Sequence, residues 1–364
     1  MNKRILHLVA LVFVSVAAAS QPVSPTPRQQ LLTRLVELQA RGYMFGHQDD
    51  PCYGIRWSGI TDPQNPQPGR SDVLEACGDY PAVMGFDLGG IEMGDEKNLD
   101  SVPFRRIRDE LIAHHQRGGI VALSWHPRNP LTGGTAWDNA DTTVVRSILP
   151  GGNCHRKFLL WMRNVRDFLK TLRTPDTDRP VPVVFRPWHE NNGAWFWWGS
   201  KQCTPEEYRA LWCMLQDYLL SEDFDNLVWS WSPNLGIRAA DFDSYPGDDR
   251  VDLLGLDAYQ WGTEQDFIRD LNADLTVLSS FAAERGKLLA LTECGLKNLP
   301  DPTWWTRVLK PQIDKYPISY FLAWRNAGPH EYFGPAPGEK NALYFNEMIR
   351  NSNVMMLKDI SKNK

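Results

Sequence analysis

The chain is short of several features that mark large functional classes. It has no run of lysine and arginine, and its 44 acidic residues outnumber 39 basic ones for a formal net charge of −5. A surface of that sign does not gather phosphate backbones or anionic lipid, so neither nucleic acid nor an anionic membrane is expected as a partner. Long hydrophobic runs are missing too, apart from one near the start. That run, Ile5 to Val16, follows Lys3 and Arg4 and closes on Ala17-Ala18-Ala19-Ser20. It reads as a cleavable export signal over residues 1–20, too short for a spanning helix. Cleavage is expected near Ala19 or Ser20, leaving an exported chain (periplasmic or extracellular) with no membrane insertion and a charge two units more negative. No cysteine sits at that junction, so no lipid anchor is expected there. Internal repeats and linkers are also missing. One domain over residues 28–352 is therefore expected, after a proline-rich spacer at 21–27 and before a C-terminal tail at 353–364, and the chain is expected to act as a monomer.

Cysteine is scarce, with six residues, and no spacing among them matches a zinc motif. In an exported chain they can pair. Cys52, Cys77, Cys154 and Cys203 lie in loop-like sequence, which suggests Cys52–Cys77 and Cys154–Cys203 bridges, with Cys213 and Cys294 free and buried. What the chain has in quantity is tryptophan, 15 residues. Its flat apolar face and single polar handle suit half-apolar partners, although roughly half of them should fill core.

Short apolar runs alternate with helical patterns along the chain. Strands are predicted at 43–47, 81–87, 119–126, 181–188, 226–232, 251–257, 287–293 and 317–324. Helices are predicted between them, at 102–117, 155–171, 205–220, 264–285 and 302–310, with a last one at 341–351. Thr204-Pro205-Glu206-Glu207 is a helix-capping signature. Eight strands alternating with helices indicate an α/β fold, a (β/α)8 barrel. The connections at 48–80, 127–154 and 233–250 are long, follow strands, and so belong on the C-terminal face where such barrels keep their chemistry.

The predicted strands all close on polar or aromatic residues: His47-Gln48, Asp87, Trp125-His126, His189-Glu190, Trp231 to Asn234, Asp257 to Tyr259, Glu293, and Trp324-Arg325. A purely structural barrel has no need of this at every strand. Two glutamates on two strands, Glu190 and Glu293, suit glycoside hydrolysis, which needs one protonated and one ionised carboxyl group. Side chains alternate along a strand, so Arg186, Trp188 and Glu190 share the inward parity. Arg186 would sit a layer below the carboxylates and hold one ionised, while Trp188 and Trp195 would raise the pKa of the other. These residues by themselves do not say which glutamate does which.

Arg186-Pro187-Trp188-His189-Glu190, with Asn192-Gly193 and Trp195 to Gly199, resembles the signature of glycoside hydrolase family 26. The resemblance extends to Ser124-Trp125-His126-Pro127, Gly255-Leu256-Asp257-Ala258-Tyr259, Thr292-Glu293 and Trp324-Arg325, and so covers about residues 30–350. It implies a retaining enzyme on a (β/α)8 barrel, acting on β-mannan or manno-oligosaccharides, with Glu190 as general acid/base and Glu293 as nucleophile. It further implies that His189 hydrogen-bonds near the nucleophile, His126 contacts the sugar and Tyr259 orients the nucleophile. Asp257 would bind a sugar hydroxyl, Trp195 and Trp324 would stack on sugars, and Arg325 would donate to a hydroxyl further out. No metal and no cofactor is required by this chemistry.

Other readings stay open at this point. The same mechanism could serve mixed-linkage β-glucan or β-1,3-xylan. A metal-dependent hydrolase could ring a cation with His126, His189, Glu190 and Asp257, but no His-x-His pair ends the first strand. A non-catalytic carbohydrate-binding barrel would use the tryptophans and neither glutamate. His47, Gln48 and Asp87 could line the far end of a cleft or serve structure alone.

Overall fold

The computed structural model describes residues 24–60, 67–350 and 353–361. The expected signal segment and residues 21–23 of the spacer lie outside the described residues. Eight strands form the barrel: β1 (Tyr43–Gln48), β2 (Val83–Asp87), β3 (Ile120–Trp125), β4 (Val183–Pro187), β5 (Leu227–Trp231), β6 (Leu253–Tyr259), β7 (Leu288–Gly295) and β8 (Ile318–Ala323). They pair in parallel in chain order, and β8 closes on β1, with Met44 opposite Tyr320 and His47 opposite Ala323. Helix α1 (Pro27–Gln39) precedes the barrel, and α2 (Phe104–Gln116), α3 (His155–Lys170), α4 (Pro205–Leu220), α5 (Glu264–Arg285) and α6 (Asn341–Arg350) belong to the surrounding layer. The ring of parallel strands inside helices is a (β/α)8 barrel.

Strand alternation splits the core in two. Phe45, Phe86, Leu123, Phe185, Leu256 and Phe321 face outward and pack with helix residues such as Phe158, Trp161, Leu211 and Leu271. Met44, Val83, Val184, Val228, Leu253, Ala290 and Tyr320 fill the interior, where Leu31, Leu35 and Leu38 of α1 pack beneath them. The apolar filling occupies the N-terminal part of the barrel. Towards the C-terminal ends the inward positions turn polar, with Ser124, Arg186, Ser230, Asp257 and Thr292 all buried. A buried polar layer must be hydrogen-bonded within itself, and this one is the floor of the site.

The predicted capping signature is present: Thr204 and Glu207 form a capping box with Pro205 in the first turn of α4. α1 carries a second one, with Thr26 and Gln29, so residues 24–27, read from the sequence as spacer, lead directly into a capped helix. The residues taken as a tail also join the fold. Val354 and Met355 pair in parallel with β1, and Leu357–Ser361 is helical with Leu357 and Ile360 buried. No helix among the described residues is long and apolar enough to cross a membrane.

All six cysteines are free, which corrects the two expected bridges. Cys52 is enclosed among apolar residues, Cys77 closes a short helix, and the Cys203 thiol donates to the carbonyls of Trp198 and Gly199. Loop-like sequence suggests pairing, yet Cys52 is buried and Cys77, Cys154 and Cys203 are half-buried, each as a free thiol.

Candidate active site

The chain leaves β4 at Pro187 and turns sharply. Trp188 and Glu190 both adopt left-handed backbone, with φ of 54° and 53°. Non-glycine residues there are strained, and such strain gathers at functional sites. The turn also breaks the alternation, so Trp188 does not share the inward face of Arg186. It is fully buried against Trp125, Phe158, Trp197 and Trp198 in the outer layer, and its carbonyl accepts from the Tyr208 hydroxyl of α4 at 2.8 Å. The neighbouring tryptophans pin the turn from behind. Trp198 Nε1–H donates to the His189 carbonyl at 2.9 Å and Trp197 Nε1–H to the Pro127 carbonyl at 3.1 Å. The Asn192 amide clamps the loop after β5, donating to the Asn234 carbonyl and accepting from its N–H. Gly193 is needed because a Cβ there would lie 2.4 Å from the Trp195 ring.

Glu190 emerges from this turn into a cleft of about 520 Å³, facing Glu293 of β7. One carboxylate oxygen from each of Glu190, Glu293 and Asp257 lies within 4.8 Å of the other two. A register shift between β6 and β7 after Leu256 allows two consecutive β7 residues to reach inward. Thr292 Oγ1–H donates to Asp257 at 2.7 Å, and Glu293 accepts from Tyr259 Oη–H at 2.7 Å. Arg186 lies beneath them, donating from Nη1 to Asp257 at 2.6 Å and from Nη2 to Glu293.

The surroundings of the carboxyl groups differ. Burial first, and then the charge of Glu293, pushes Glu190 up to about 7; the Trp195 Nε1–H bond to Oε2, at 2.6 Å, pulls the other way. Trp195 thus opposes the raised pKa that the sequence had assigned to it, and Trp188 is too deep in the outer layer to contribute an apolar wall to the cleft. Burial and the Glu293 and Glu190 charges push Asp257 up, against the opposing pull of Arg186 and Thr292. Three carboxylates this close could hold a cation, but the Arg186 guanidinium already bonds two of them from below.

Two histidines form the next part of the wall. His126 donates from Nδ1 to Asp87 at 2.7 Å, and Asp87 also accepts from Ser124 Oγ–H at 2.6 Å. Burial alone would lower His126, but the charge and hydrogen bond of Asp87 outweigh it and raise its pKa. His189 is held well below the ordinary histidine range by burial, with Arg186 and His126 adding to the effect. Its Nε2 lies 2.9 Å from His126 Nε2, so its hydrogen bond goes to the other histidine and not to Glu293.

His126, His189, Glu190, Trp195, Tyr259, Glu293 and Trp324 all line the cleft. Two other predicted contacts do not. Asp257 is fully buried one layer down, where it compensates Arg186. Arg325 does not line the cleft and is taken up by Asp100 and, at 3.1 Å, by Glu331. His47, Gln48 and Asp87 are buried and do not line the cleft. Asn234, named among the strand ends, and Phe196, inside the Trp195 to Gly199 motif, also line it, and sequence reading missed Trp137, Trp261, Lys297, Glu331 and Phe333, which complete the lining. Among the tryptophans, Trp137, Trp195, Trp261 and Trp324 keep solvent contact and line this one cleft, and Trp57 alone of the others keeps some solvent contact elsewhere. That selective exposure is the signal that composition alone could not place.

Residues 20–333 match glycosyl hydrolase family 26. The chain belongs to that family. A solved structure of a family 26 β-mannanase from Bacteroides ovatus is 43% identical, with a TM-score of 0.87 over 93% of this chain and 98% of that one. The catalytic domain of an endo-β-1,4-mannanase from Bacillus sp. JAMB-750 is 31% identical, with a TM-score of 0.83 over 93% of each chain. A mannan endo-1,4-β-mannosidase from Bifidobacterium adolescentis is 32% identical over 286 residues, 71% of this chain. The chain spans only 28% of the length of that last relative.

Proposed function

We propose that the protein is a retaining glycoside hydrolase that cleaves β-1,4-mannosidic bonds in β-mannan or manno-oligosaccharides. The observation that carries this is the approach of the Glu190 and Glu293 carboxylates, with oxygens within 4.8 Å, at the bottom of a tryptophan-lined cleft. Retaining pairs stand about 5–5.5 Å apart and inverting pairs about 6.5–9.5 Å, the larger gap leaving room for water. Family membership and the mannanase relatives support the choice of mannan.

The donors around each carboxyl group support the division of labour. Glu293 accepts from Arg186 and Tyr259, and Asp257 from Arg186 and Thr292 on its two oxygens. Glu190 accepts only from Trp195, on Oε2. Among the described residues no donor reaches Oε1, so that oxygen is free to carry a proton into the cleft. Like charges this close cannot all persist, and the proton settles where fewest donors favour the ionised form. Glu190 is therefore the general acid and Glu293 the nucleophile. In the first step Glu293 attacks the anomeric carbon while Glu190 protonates the departing glycosidic oxygen. In the second step, water attacks the glycosyl-enzyme ester and gives its proton to Glu190. His126, His189, Trp195, Tyr259 and Trp324 hold the sugars; Asp257 fixes Arg186, and Arg325 shapes the wall through Glu331.

Side-by-side hydrolysis of β-mannan, mixed-linkage β-glucan and xylan, with the first anomer formed read by proton NMR, tests the reading. Mannan cleaved fastest with a β-configured product is expected. An α-configured first product would overturn the retaining mechanism, and preference for another glycan would overturn the substrate. We further infer from residues 1–20 that the enzyme acts outside the cytoplasm, which fractionation of the native host would check.

A further inference from the structure

We propose that Trp261 is a sugar-stacking platform at the edge of the cleft, and that it makes turnover depend on the length of the β-linked oligosaccharide. The inference rests on the glycosidase reading and extends it to a residue outside the set that resembles the family signature. Trp261 is 71% exposed. An exposed apolar side chain alone says little, but the surroundings of this one are specific. It lines the catalytic cleft, and its ring lies 5.4 Å from that of Tyr259 at an interplanar angle of 26°. Tyr259 supports the indole from behind and leaves the rest of it open to solvent.

The short connection that carries Trp261 is held on both sides. The Gln260 N–H donates to the Gly295 carbonyl at 3.0 Å, and the Gln260 side chain accepts from Trp304 Nε1–H at 2.7 Å. Trp304 is fully buried. Two residues after Trp261, Thr263 caps α5 by accepting from the Asp266 N–H at 3.1 Å. The backbone is thus fixed while the ring remains uncovered, an arrangement suited to a preorganised binding face. In the same cleft, Lys297 and Glu331 lie 3.3 Å apart and offer a donor and acceptors for hydroxyl groups. A flat apolar face with polar groups beside it matches a pyranose ring, whose C–H face is apolar and whose edge carries hydroxyls. Continuity with the catalytic cleft identifies the occupant as a further unit of the same saccharide chain.

The test compares wild type, Trp261→Ala and Trp261→Phe on manno-oligosaccharides from three to six units. The ratio of kcat/KM for the hexasaccharide to that for the trisaccharide is expected to fall about tenfold in Trp261→Ala, mainly through KM. Trp261→Phe, which keeps a stacking face, should recover most of the loss. Equal losses at every length, carried by kcat with a shifted pH profile, would overturn the proposal and make Trp261 only a brace for Tyr259. An unchanged ratio would also overturn it. Binding to Glu293→Gln, followed by tryptophan fluorescence with the same oligosaccharides and with gluco- and xylo-oligosaccharides, reads the platform without cleavage. If wild type cleaves no mannan, the substrate reading fails separately. The platform then stands or falls on whether Trp261→Ala in the Glu293→Gln background weakens long-chain binding about tenfold.

Discussion

Trp195→Phe should move the alkaline limb of the pH profile upward. In the wild type the Trp195 Nε1–H bond to Glu190, at 2.6 Å, favours the ionised carboxylate, and the carboxyl group sits at about 7 because burial and the Glu293 charge outweigh that bond. On the proposed assignment Glu190 is the acid and must be protonated in the free enzyme, so this value marks the alkaline limb of kcat/KM. Phenylalanine removes the donor and keeps an apolar face. A hydrogen bond to a charged group contributes about 1.5–3 kcal/mol. Trp195 is 37% exposed, so solvent screens part of that interaction. Halving the lower end leaves about 0.75 kcal/mol, or a rise of roughly 0.5 in pKa at about 1.4 kcal/mol per pKa step. The assay is kcat/KM against pH on a manno-oligosaccharide for wild type, Trp195→Phe and Trp137→Phe. The last variant alters another cleft tryptophan that makes no bond to Glu190. Weaker stacking lowers both curves without moving the limb, so position and height separate. A limb that stays put or moves to lower pH in Trp195→Phe would refute the placement of the proton on Glu190.

The opposite sign is expected for Glu293→Gln: removing the neighbouring charge lowers the pKa of Glu190, measurable by carbon NMR with labelled glutamate, while turnover of mannan is lost. Arg186→Met leaves Asp257 and Glu293 buried without their cation and should destabilise the fold by about 3–5 kcal/mol. Thermal melting reads this, and a melt like wild type would show the arginine to be structurally dispensable. His114 is buried and its pKa is lowered to about 4, chiefly by burial. The unfolded chain takes up that proton first, so stability is full above about 6.5 and is lost as pH falls towards 4, on the order of 3 kcal/mol. His114→Gln should flatten that part of the stability–pH curve measured by denaturant unfolding. Because all six cysteines are free, dithiothreitol should leave the melting temperature unchanged, and all six should react with a thiol reagent in denaturant without prior reduction.

Strand ends were legible in the sequence because a barrel strand is a short apolar run whose last residues leave the core. That gave eight strands, their order and the two glutamates. The period-two rule then failed where the backbone stopped being a strand. Arg186 does face the barrel interior, but the left-handed turn at Trp188 and Glu190 sends one side chain to the helix layer and returns the other to the cleft. Inward parity also carries no depth. Gly255, Asp257 and Tyr259 share one face of β6, yet only Tyr259 lines the cleft, because the register shift against β7 lets Thr292 and Glu293 close over Asp257. Trp137, Trp261, Lys297, Glu331 and Phe333 come from irregular connections. Their exposure depends on the path of the loop, which no periodicity encodes.

The two glutamates look alike in sequence, each at a strand end, and only their donors separate them. On the proposed assignment, that difference also supplies the switch that double displacement needs. Once Glu293 is esterified to the sugar it no longer carries a charge, and one of the two influences holding Glu190 at about 7 disappears. The Trp195 bond, which favours the ionised form, then weighs more. Having given up its proton in the first step, Glu190 stays ionised and can take one from water in the second. Arg186 keeps its bond to Asp257 throughout, so the floor need not rearrange when the nucleophile changes its charge. Asp257, which never meets the sugar on this account, is what allows the arginine to remain in place while Glu293 reacts. Asp257→Asn should therefore slow both steps through kcat and leave KM nearly unchanged, whereas a residue that bound a sugar hydroxyl would raise KM.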